Sequence, residues 1–206
     1  MSTLLPLNFN VDIIGWSYKQ QRKQFKAFAL LERKIMSSHN NVCNYCGFRE
    51  VLPEIVNIDG NYRNNVPSNL TCACVICARC KFIGSYQSSL EEVSGDRLIY
   101  LPEIPQAAIN YIYRVLCIND TAHAGTADQA KEMYRGMRYR SQHIEDLFGE
   151  GSSEVQIFLQ NALDAKVMEN PNFAKVMSNI RYLPGRHSFD KLVPYWREQL
   201  YPVKKQ

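Results

Sequence analysis

Hydrophobic positions in the first part of the chain change their period at about residue 40. From Tyr18 to about His39 there is no Pro or Gly, and apolar side chains recur at the spacing of one helix face, which predicts a single amphipathic helix. The predicted face consists of Phe25, Phe28, Leu31 and Ile35. From Asn41 to Asp59 the helical period is lost, and a tight turn followed by "FREVLPEIVNI" is typical of a β-hairpin.

Turn and loop signals occupy the middle of the chain. The stretch "DGNYRNNVPSN" is rich in turn residues and predicts a loop, and a short helix is expected in the cysteine-rich stretch that follows it. Residues 84–96, "GSYQSSLEEVSGD", have the most flexible composition in the interior of the chain. "RLIYL" then predicts a strand, which Pro102 ends.

From residue 105 onward the pattern predicts helices. Pro105 can open the first of them, Thr126 with Gln129 forms a capping-box pair before a long helix, and Ser153 with Gln156 repeats that signature. Pro171 is expected to end the third helix and Pro194 to break or delay the last. The four apolar faces are Ile109, Ile112, Tyr113 and Leu116; Ala130, Met133, Tyr134, Met137, Ile144 and Phe148; Val155, Phe158, Leu159, Ala162 and Leu163; and Phe189, Leu192, Val193, Trp196 and Leu200.

These elements predict the α+β class. A small module with a β-hairpin and short helices, at residues 19–85, is expected to pack with a mainly helical extension at residues 105–201. The whole chain, residues 1–206, is expected to form a single compact domain. The composition supports a folded protein, because 46% of the residues are hydrophobic, 21% are charged, and twelve tyrosines and nine phenylalanines supply core material.

The charge of the chain excludes little. Lys and Arg number 24 against 20 Asp and Glu, a net charge of +4, which is well below the excess typical of a dedicated nucleic-acid binder. The basic stripe of the first predicted helix is interpreted as a solvated face in preference to a phosphate contact. That stripe consists of Lys19, Arg22, Lys23 and Lys26.

Seven cysteines are the strongest chemical signal. The start of the chain lacks the basic segment of a signal peptide, and no stretch is apolar and long enough to span a membrane, so an intracellular, reducing location is expected. There, cysteines favour metal ligation or free thiols over disulfides. Cys43 and Cys46 form one CxxC unit, and its partner is either Cys74 with Cys77 or Cys77 with Cys80. Two such units about thirty residues apart predict a zinc ion, which four thiolates would enclose as a structural site.

The residues around the cysteines resemble zinc-containing HNH modules. "LLERK" before "VCNYCGF" is similar to the opening of these modules. Asn69 and Leu70, which are followed by three residues and then by the CxxC sequence of Cys74 and Cys77, are similar to their second half. The resemblance implies a ββα zinc module and favours, as the four ligands of one Zn²⁺ ion, Cys43, Cys46, Cys74 and Cys77. Cys72 and Cys117 are interpreted as small buried hydrophobic residues.

The catalytic groups of an HNH nuclease are missing. Phosphodiester cleavage needs a divalent metal and a general base, but no histidine lies between His39 and His123. The position at which the module carries its base corresponds to Asn57, and the residue after Cys77 is Ala78. Asp59 is interpreted as a turn residue. The sequence therefore predicts an HNH-like scaffold that is not an enzyme, with no catalytic residues.

Further stretches resemble one family. "VNIDGNYRNNVPSNL", "CACVICARC", "LIYLPEI", "MYRGMRYRSQ", "FGEG" and "IRYLPGR" are similar to the IcmJ (DotN) family of the Dot/Icm type IVB secretion systems of intracellular bacterial pathogens. The resemblance extends from about residue 25 to residue 190. The four favoured cysteines match the family pattern, and because Cys80 also matches, the overlapping units stay alternatives.

The resemblance implies a role in protein transport and virulence. It implies a zinc-stabilised adaptor in the coupling complex that binds the cytosolic C-terminal extension of the coupling ATPase and supports effector recruitment. Such a protein would lie in the cytoplasm and associate with the inner membrane only through its partners. The alternatives are an HNH-type nuclease and a nucleic-acid-binding zinc protein; the missing histidine and the modest net charge argue against them.

Overall fold

The computed structural model describes residues 4–7, 15–83, 95–121, 124–162 and 176–202. Helices and two small antiparallel sheets are present, which confirms the predicted α+β class. The chain divides into two compact units, a first unit of Met1–Ser89 and a second unit of Leu90–Gln206. The predicted domain bounds of 19–85 and 105–201, and their union in one domain, stay predictions.

Among its described residues, the first unit combines a two-stranded sheet with three α-helices. Strands β1 and β2 are antiparallel, with Glu54 opposite Ala73 and Asn57 opposite Leu70. β1 lies within the stretch predicted to form a hairpin, but its partner β2 lies beyond the predicted loop, at the start of the cysteine-rich stretch. A helix follows β2 at the second cysteine group as expected. The elements are α1 (Gly15–Lys23), α2 (Lys26–Ser38), β1 (Glu54–Asn57), β2 (Leu70–Ala73) and α3 (Val75–Lys81).

The prediction of one helix from Tyr18 to His39 is wrong, because the chain leaves the helix at Phe25. Phe25 has an extended backbone (φ −90°, ψ 122°) although no Pro or Gly is near it. The break lets α1 approach β1, so tertiary contacts outweigh helix propensity here. Phe28 and Ile35 of α2 pack with the strand residues Ile55, Leu70 and Cys72. Phe25, which was predicted to lie on the same face, is 64% exposed and does not join this core.

Hydrogen bonds to Asp59 organise the loop between β1 and β2. Its carboxylate accepts hydrogen bonds from Asn61 N at 2.8 Å, Asn69 Nδ2 at 2.8 Å and Asn64 Nδ2 at 2.9 Å. Slight burial acts to raise the pKa of Asp59, but these hydrogen bonds outweigh it and lower the pKa. Gly60 follows with φ +78°, a left-handed conformation that favours glycine. Asp59 therefore has the turn role that was predicted.

The second unit contains a strand that the sequence pattern missed. Residues 180–183, within the region predicted to be helical, pair antiparallel with β3 so that Arg97 lies opposite Leu183. β3 coincides with the predicted strand of "RLIYL". The elements are β3 (Arg97–Tyr100), α4 (Gln106–Asp120), α5 (Ala124–Tyr139), α6 (Gln142–Phe148), α7 (Val155–Ala162), β4 (Ile180–Leu183) and α8 (Val193–Leu200).

The predicted helix boundaries of the second unit are partly correct. Pro105 precedes α4, and Pro194 lies in the first turn of α8 and so delays that helix without breaking it. Thr126 does not cap α5, because the helix begins two residues earlier at Ala124. The predicted long helix is two helices, α5 and α6, and Met133 is 57% exposed where a buried position was predicted.

Asp96, the residue before β3, holds the chain after β4 in place through hydrogen bonds. Its Oδ1 accepts hydrogen bonds from Gly185 N at 2.6 Å and Ser188 Oγ at 2.7 Å, and its Oδ2 accepts one from the Tyr182 hydroxyl. Asp96 is 1% exposed, so water does not compete for these hydrogen bonds.

Some predicted features lie outside the described residues. They are the end of the third C-terminal helix with Leu163 and Pro171, His123, and residues 84–94 of the stretch predicted to be flexible. Among the residues that are described, no helix combines the length and the apolar character that a membrane crossing requires.

Candidate metal centre

A tight turn places the first two cysteines of the candidate site. Gly47 N donates a hydrogen bond to Cys43 O and Cys43 N donates one to Phe48 O, both at 2.9 Å. Gly47 has φ +73°, which favours glycine at this position. The amide of Tyr45 points at Cys43 Sγ, at 3.4 Å. The CxxC sequence and its following glycine thus turn both thiols to the same side.

The other two cysteines lie at the start of α3. Cys74 is the N-cap residue, and its sulfur accepts a hydrogen bond from Cys77 N at 3.4 Å. One turn of helix then brings Cys77 beside it. The two pairs are joined where Asn44 N donates to Cys72 O at 2.9 Å and Asn44 Nδ2 donates to Thr71 Oγ1 at 2.7 Å.

The four predicted sulfur atoms form one cluster. Those of Cys43, Cys46, Cys74 and Cys77 all lie within 4.8 Å of one another, and Cys46 Sγ is 3.7 Å from Cys74 Sγ. Tetrahedral zinc with Zn–S bonds of about 2.3 Å would separate its sulfur ligands by about 3.8 Å. The donor set and its spacing therefore fit a zinc ion.

Burial and crowding govern the chemistry of these thiols. Cys43, Cys74 and Cys77 are buried and Cys46 is partly buried. Burial, followed by hydrogen bonding with neighbouring thiols, raises the pKa of Cys43. Hydrogen bonding with the other three thiols, followed by burial, raises the pKa of Cys77. Four thiols so close together cannot all ionise alone, whereas a divalent cation between them would stabilise the thiolates.

The remaining described cysteines lie outside this cluster. Cys80 is buried in α3, but its sulfur is not among the four that converge, which favours Cys74 with Cys77 over the overlapping unit. Cys72 belongs to the hydrophobic core with Phe28 and Ile35. Cys117 is buried in the second unit. Burial of Cys72 and Cys117 agrees with their predicted role as small hydrophobic residues.

Asn57, at the end of β1, is fully buried and its carboxamide is saturated. Its Nδ2 donates to Asn61 O at 2.9 Å and to Asn64 O at 2.7 Å, and its Oδ1 accepts a hydrogen bond from Arg22. An amide of this kind cannot remove a proton from water. Ala78 is buried in α3, so neither residue supplies the base that a nuclease needs.

The predicted solvated stripe on the first helix is wrong for two of its four residues. Lys23 and Lys26 are exposed as expected, but Lys19 and Arg22 are 3% and 4% exposed. Lys19 Nζ lies 2.5 Å from Glu54 Oε2. Burial acts to raise the pKa of Glu54, but the charge and hydrogen bond of Lys19 outweigh it and lower the pKa.

Arg22 connects α1 to the strand and the loop. Its Nη1 donates to Asn57 Oδ1 at 2.5 Å and to Asn65 Oδ1 at 2.8 Å, and its Nη2 donates to Ile55 O at 2.7 Å. The guanidinium also lies 4.4 Å from the ring centre of Phe28. Sequence spacing alone did not reveal this role, because the partners are 33 to 43 residues away.

Replacing Arg22 should destabilise the first unit. Arg22→Met keeps much of the apolar stem but leaves buried acceptors on Asn57 and Ile55 without their donor, at a cost of about 3 kcal/mol. Hydrogen exchange at the amides of β1 and β2 measures this loss. Lys23→Met is the matched control, because Lys23 is exposed, and it should change protection by less than about 0.5 kcal/mol. Equal protection in the two variants would contradict the role of Arg22.

Comparison with known proteins identifies a relative over most of the chain. No family model matches the sequence. The chain is 39% identical over 183 residues to the Type 4 apparatus protein DotN of Legionella pneumophila subsp. pneumophila strain Philadelphia 1, and the match covers 88% of this chain and 85% of DotN. Identity at this level over nearly the whole length of both proteins shows that the chain belongs to the DotN (IcmJ) family.

Proposed function

We propose that this chain is a non-enzymatic, zinc-stabilised adaptor subunit of a type IVB secretion coupling complex. The observation that carries the proposal is the 39% identity to DotN, which is named as a type 4 apparatus protein. In this role the chain binds the cytosolic C-terminal extension of the coupling ATPase and supports effector recruitment. It lies in the cytoplasm, at the cytosolic face of the inner membrane through its partners.

The proposed zinc module is HNH-like. Two antiparallel strands are followed at once by a helix, and the CxxC turn lies beside the second strand, which supports a ββα zinc module. The ligands in this proposal are Cys43, Cys46, Cys74 and Cys77, and they bind one Zn²⁺ ion. Because four thiolates leave no position for water, the ion stabilises the fold and takes no part in a reaction.

The saturated carboxamide of Asn57 supports a role without catalysis. We expect the purified protein to leave plasmid and linear DNA uncut with Mg²⁺, Mn²⁺ or Ni²⁺, because Asn57, at the position where the HNH module carries its base, is an amide whose N–H groups are already donated to Asn61 and Asn64. Gel assays of both substrates over several hours measure this. Metal-dependent cleavage that Asn57→Ala abolishes would contradict the proposal and restore the nuclease alternative.

Native co-purification from the host tests the adaptor role directly. The tagged protein is recovered from its own bacterium, and bound protein and bound nucleic acid are identified in the same eluate. Recovery of the coupling ATPase with its associated subunits is the expected result. Recovery of nucleic acid without these proteins would support a nucleic-acid-binding zinc protein instead.

A further inference from the structure

An open groove in the first unit is not explained by the metal centre. It has a volume of about 500 Å³ and lies between α1, α2 and the loop after β1. We call it the α1–α2 groove; the residues that line it and carry the argument are Tyr18, Arg22, Phe25, Phe28, Tyr62 and Arg63. A volume of this size accommodates a few side chains of a bound segment.

An exposed aromatic ring lies at the edge of this groove. Phe25 is 64% exposed and is held there by the break between α1 and α2, which fixes its backbone in an extended conformation. Phe28 extends the apolar surface into the groove. Burying an exposed phenylalanine ring against a partner removes apolar surface from water, so Phe25 can serve as an anchor point for an apolar side chain.

The charged groups that line the groove are both cationic. Arg63 is exposed, whereas Arg22 is 4% exposed and its guanidinium donates to Asn57, Asn65 and Ile55. No carboxylate belongs to the described residues that line the groove. Lys26, next to Phe25 along the chain, adds a second exposed positive charge nearby, and the carboxylate of Glu32 on α2 is close enough to act on the buried Arg22. An occupant that brings carboxylates is therefore electrostatically matched to this surface.

Arg63 is already positioned to receive a carboxylate. Its guanidinium lies 4.4 Å from the ring centre of Tyr18 and donates a hydrogen bond to the Tyr18 hydroxyl. Arginine has five N–H groups, so others remain for a partner. Because stacking on Tyr18 restrains the side chain, less conformational entropy is lost when a carboxylate binds.

We propose that the α1–α2 groove docks an acidic peptide segment that places an apolar side chain against Phe25 and a nearby carboxylate on Arg63. The inference rests on the proposed function, which supplies the coupling-ATPase extension as the natural source of that segment. A single-stranded nucleic acid fits less well, because it requires a row of cations along its backbone, and Arg63 is the exposed guanidinium among the groove-lining residues described.

Titration calorimetry with the purified C-terminal extension of the coupling ATPase tests the proposal on the full chain. Phe25→Ser and Arg63→Glu should each weaken binding at least tenfold. Leu30→Ser and Arg33→Glu are the matched controls, because both residues are exposed on α2 and neither lines the groove; binding should stay within twofold of the unmodified protein. Thermal melts of all four variants confirm that each is folded.

The possible outcomes separate the groove from the adaptor role. If the extension binds tightly and neither groove variant weakens the binding, docking in the groove is overturned and the adaptor role stays intact. If the unmodified protein does not bind the extension, the adaptor role fails. Selection of random phage-displayed peptides then tests whether the groove docks an acidic peptide. Selected peptides that combine an apolar anchor with Asp or Glu, and are lost on Phe25→Ser but not on Leu30→Ser, support it.

Where the extension does not bind, two results would overturn peptide docking in the groove. One is a selection that yields no acidic peptides sensitive to Phe25→Ser and Arg63→Glu. The other is binding of a fluorescent oligothymidine that both groove variants abolish, with no peptide bound, since the groove would then be a stacking site for nucleic acid.

Discussion

Cys43→Ser will yield protein without zinc in which the first unit is unfolded. A structural zinc site contributes about 10–16 kcal/mol of apparent binding energy to folding. A domain of this size is typically stable by only about 5–15 kcal/mol. Loss of one thiolate from the cluster of Cys43, Cys46, Cys74 and Cys77 therefore lowers the free energy of unfolding by more than the first unit can lose and stay folded. Elemental analysis should find one zinc per unmodified chain and none in the variant, and hydrogen exchange should show loss of protection in α2, β1, β2 and α3.

Two other cysteines provide matched controls for this result. Cys117→Ser lies in the second unit and should keep one zinc per chain. Cys80→Ser tests the overlapping unit, and because its sulfur is outside the converging four, it should also keep the ion. If Cys80→Ser loses zinc while Cys74→Ser keeps it, the second pair of zinc ligands would be Cys77 with Cys80. A folded Cys43→Ser protein, or an unmodified chain that holds no zinc, would contradict a structural metal site.

The parts of the candidate site that could be predicted from the sequence depend on short-range geometry. A CxxC turn followed by Gly47, and a second pair at the first turn of a helix, fix where the thiols point without reference to the rest of the chain. The turn role of Asp59 was predictable for the same reason, since its carboxylate accepts hydrogen bonds from residues two to ten positions away.

The features that the sequence did not reveal depend on distant partners. The helix break at Phe25 has no local cause, and Arg22 is buried because Asn57, 35 residues away, accepts its hydrogen bond. A basic residue on a helix has the same local pattern whether it faces water or a buried amide. Periodicity therefore could not distinguish Arg22 from Lys23, and the groove beside them stayed hidden.

The second sheet shows the same limit in backbone pairing. "RLIYLP" and "IRYLP" both place β-rich residues before Leu-Pro, yet only the first is predicted as a strand, because the second lies in the region after residue 105 where the pattern predicts helices. β4 lies about 80 residues after β3, and Ile180 pairs with Tyr100. Such a partner cannot be identified from a local window, since a four-residue segment of this composition fits a helix equally well.

Replacing Asp96 should produce the largest single loss of stability in the second unit. Asp96→Ala leaves the amide of Gly185 and the hydroxyls of Tyr182 and Ser188 without their buried acceptor. Hydrogen bonds to a charged group contribute about 1.5–3 kcal/mol each, so a loss of about 5 kcal/mol is expected. Hydrogen exchange of the second unit measures it at β3 and β4, with the first unit as an internal reference.

Asp96→Asn separates the lost hydrogen bonds from the lost charge. Its carboxamide oxygen can still accept from Gly185 and Ser188, and its amide group can donate to the Tyr182 hydroxyl, which is able to accept, so about half of the stability should return. Asp128→Ala, on an exposed position of α5, is the matched control and should cost less than about 0.5 kcal/mol. Protection in Asp96→Ala equal to that in Asp128→Ala would show that the carboxylate does not hold the chain after β4 in place. The graded loss expected here arises because one buried acceptor joins two segments that are almost ninety residues apart, 89 between Asp96 and Gly185.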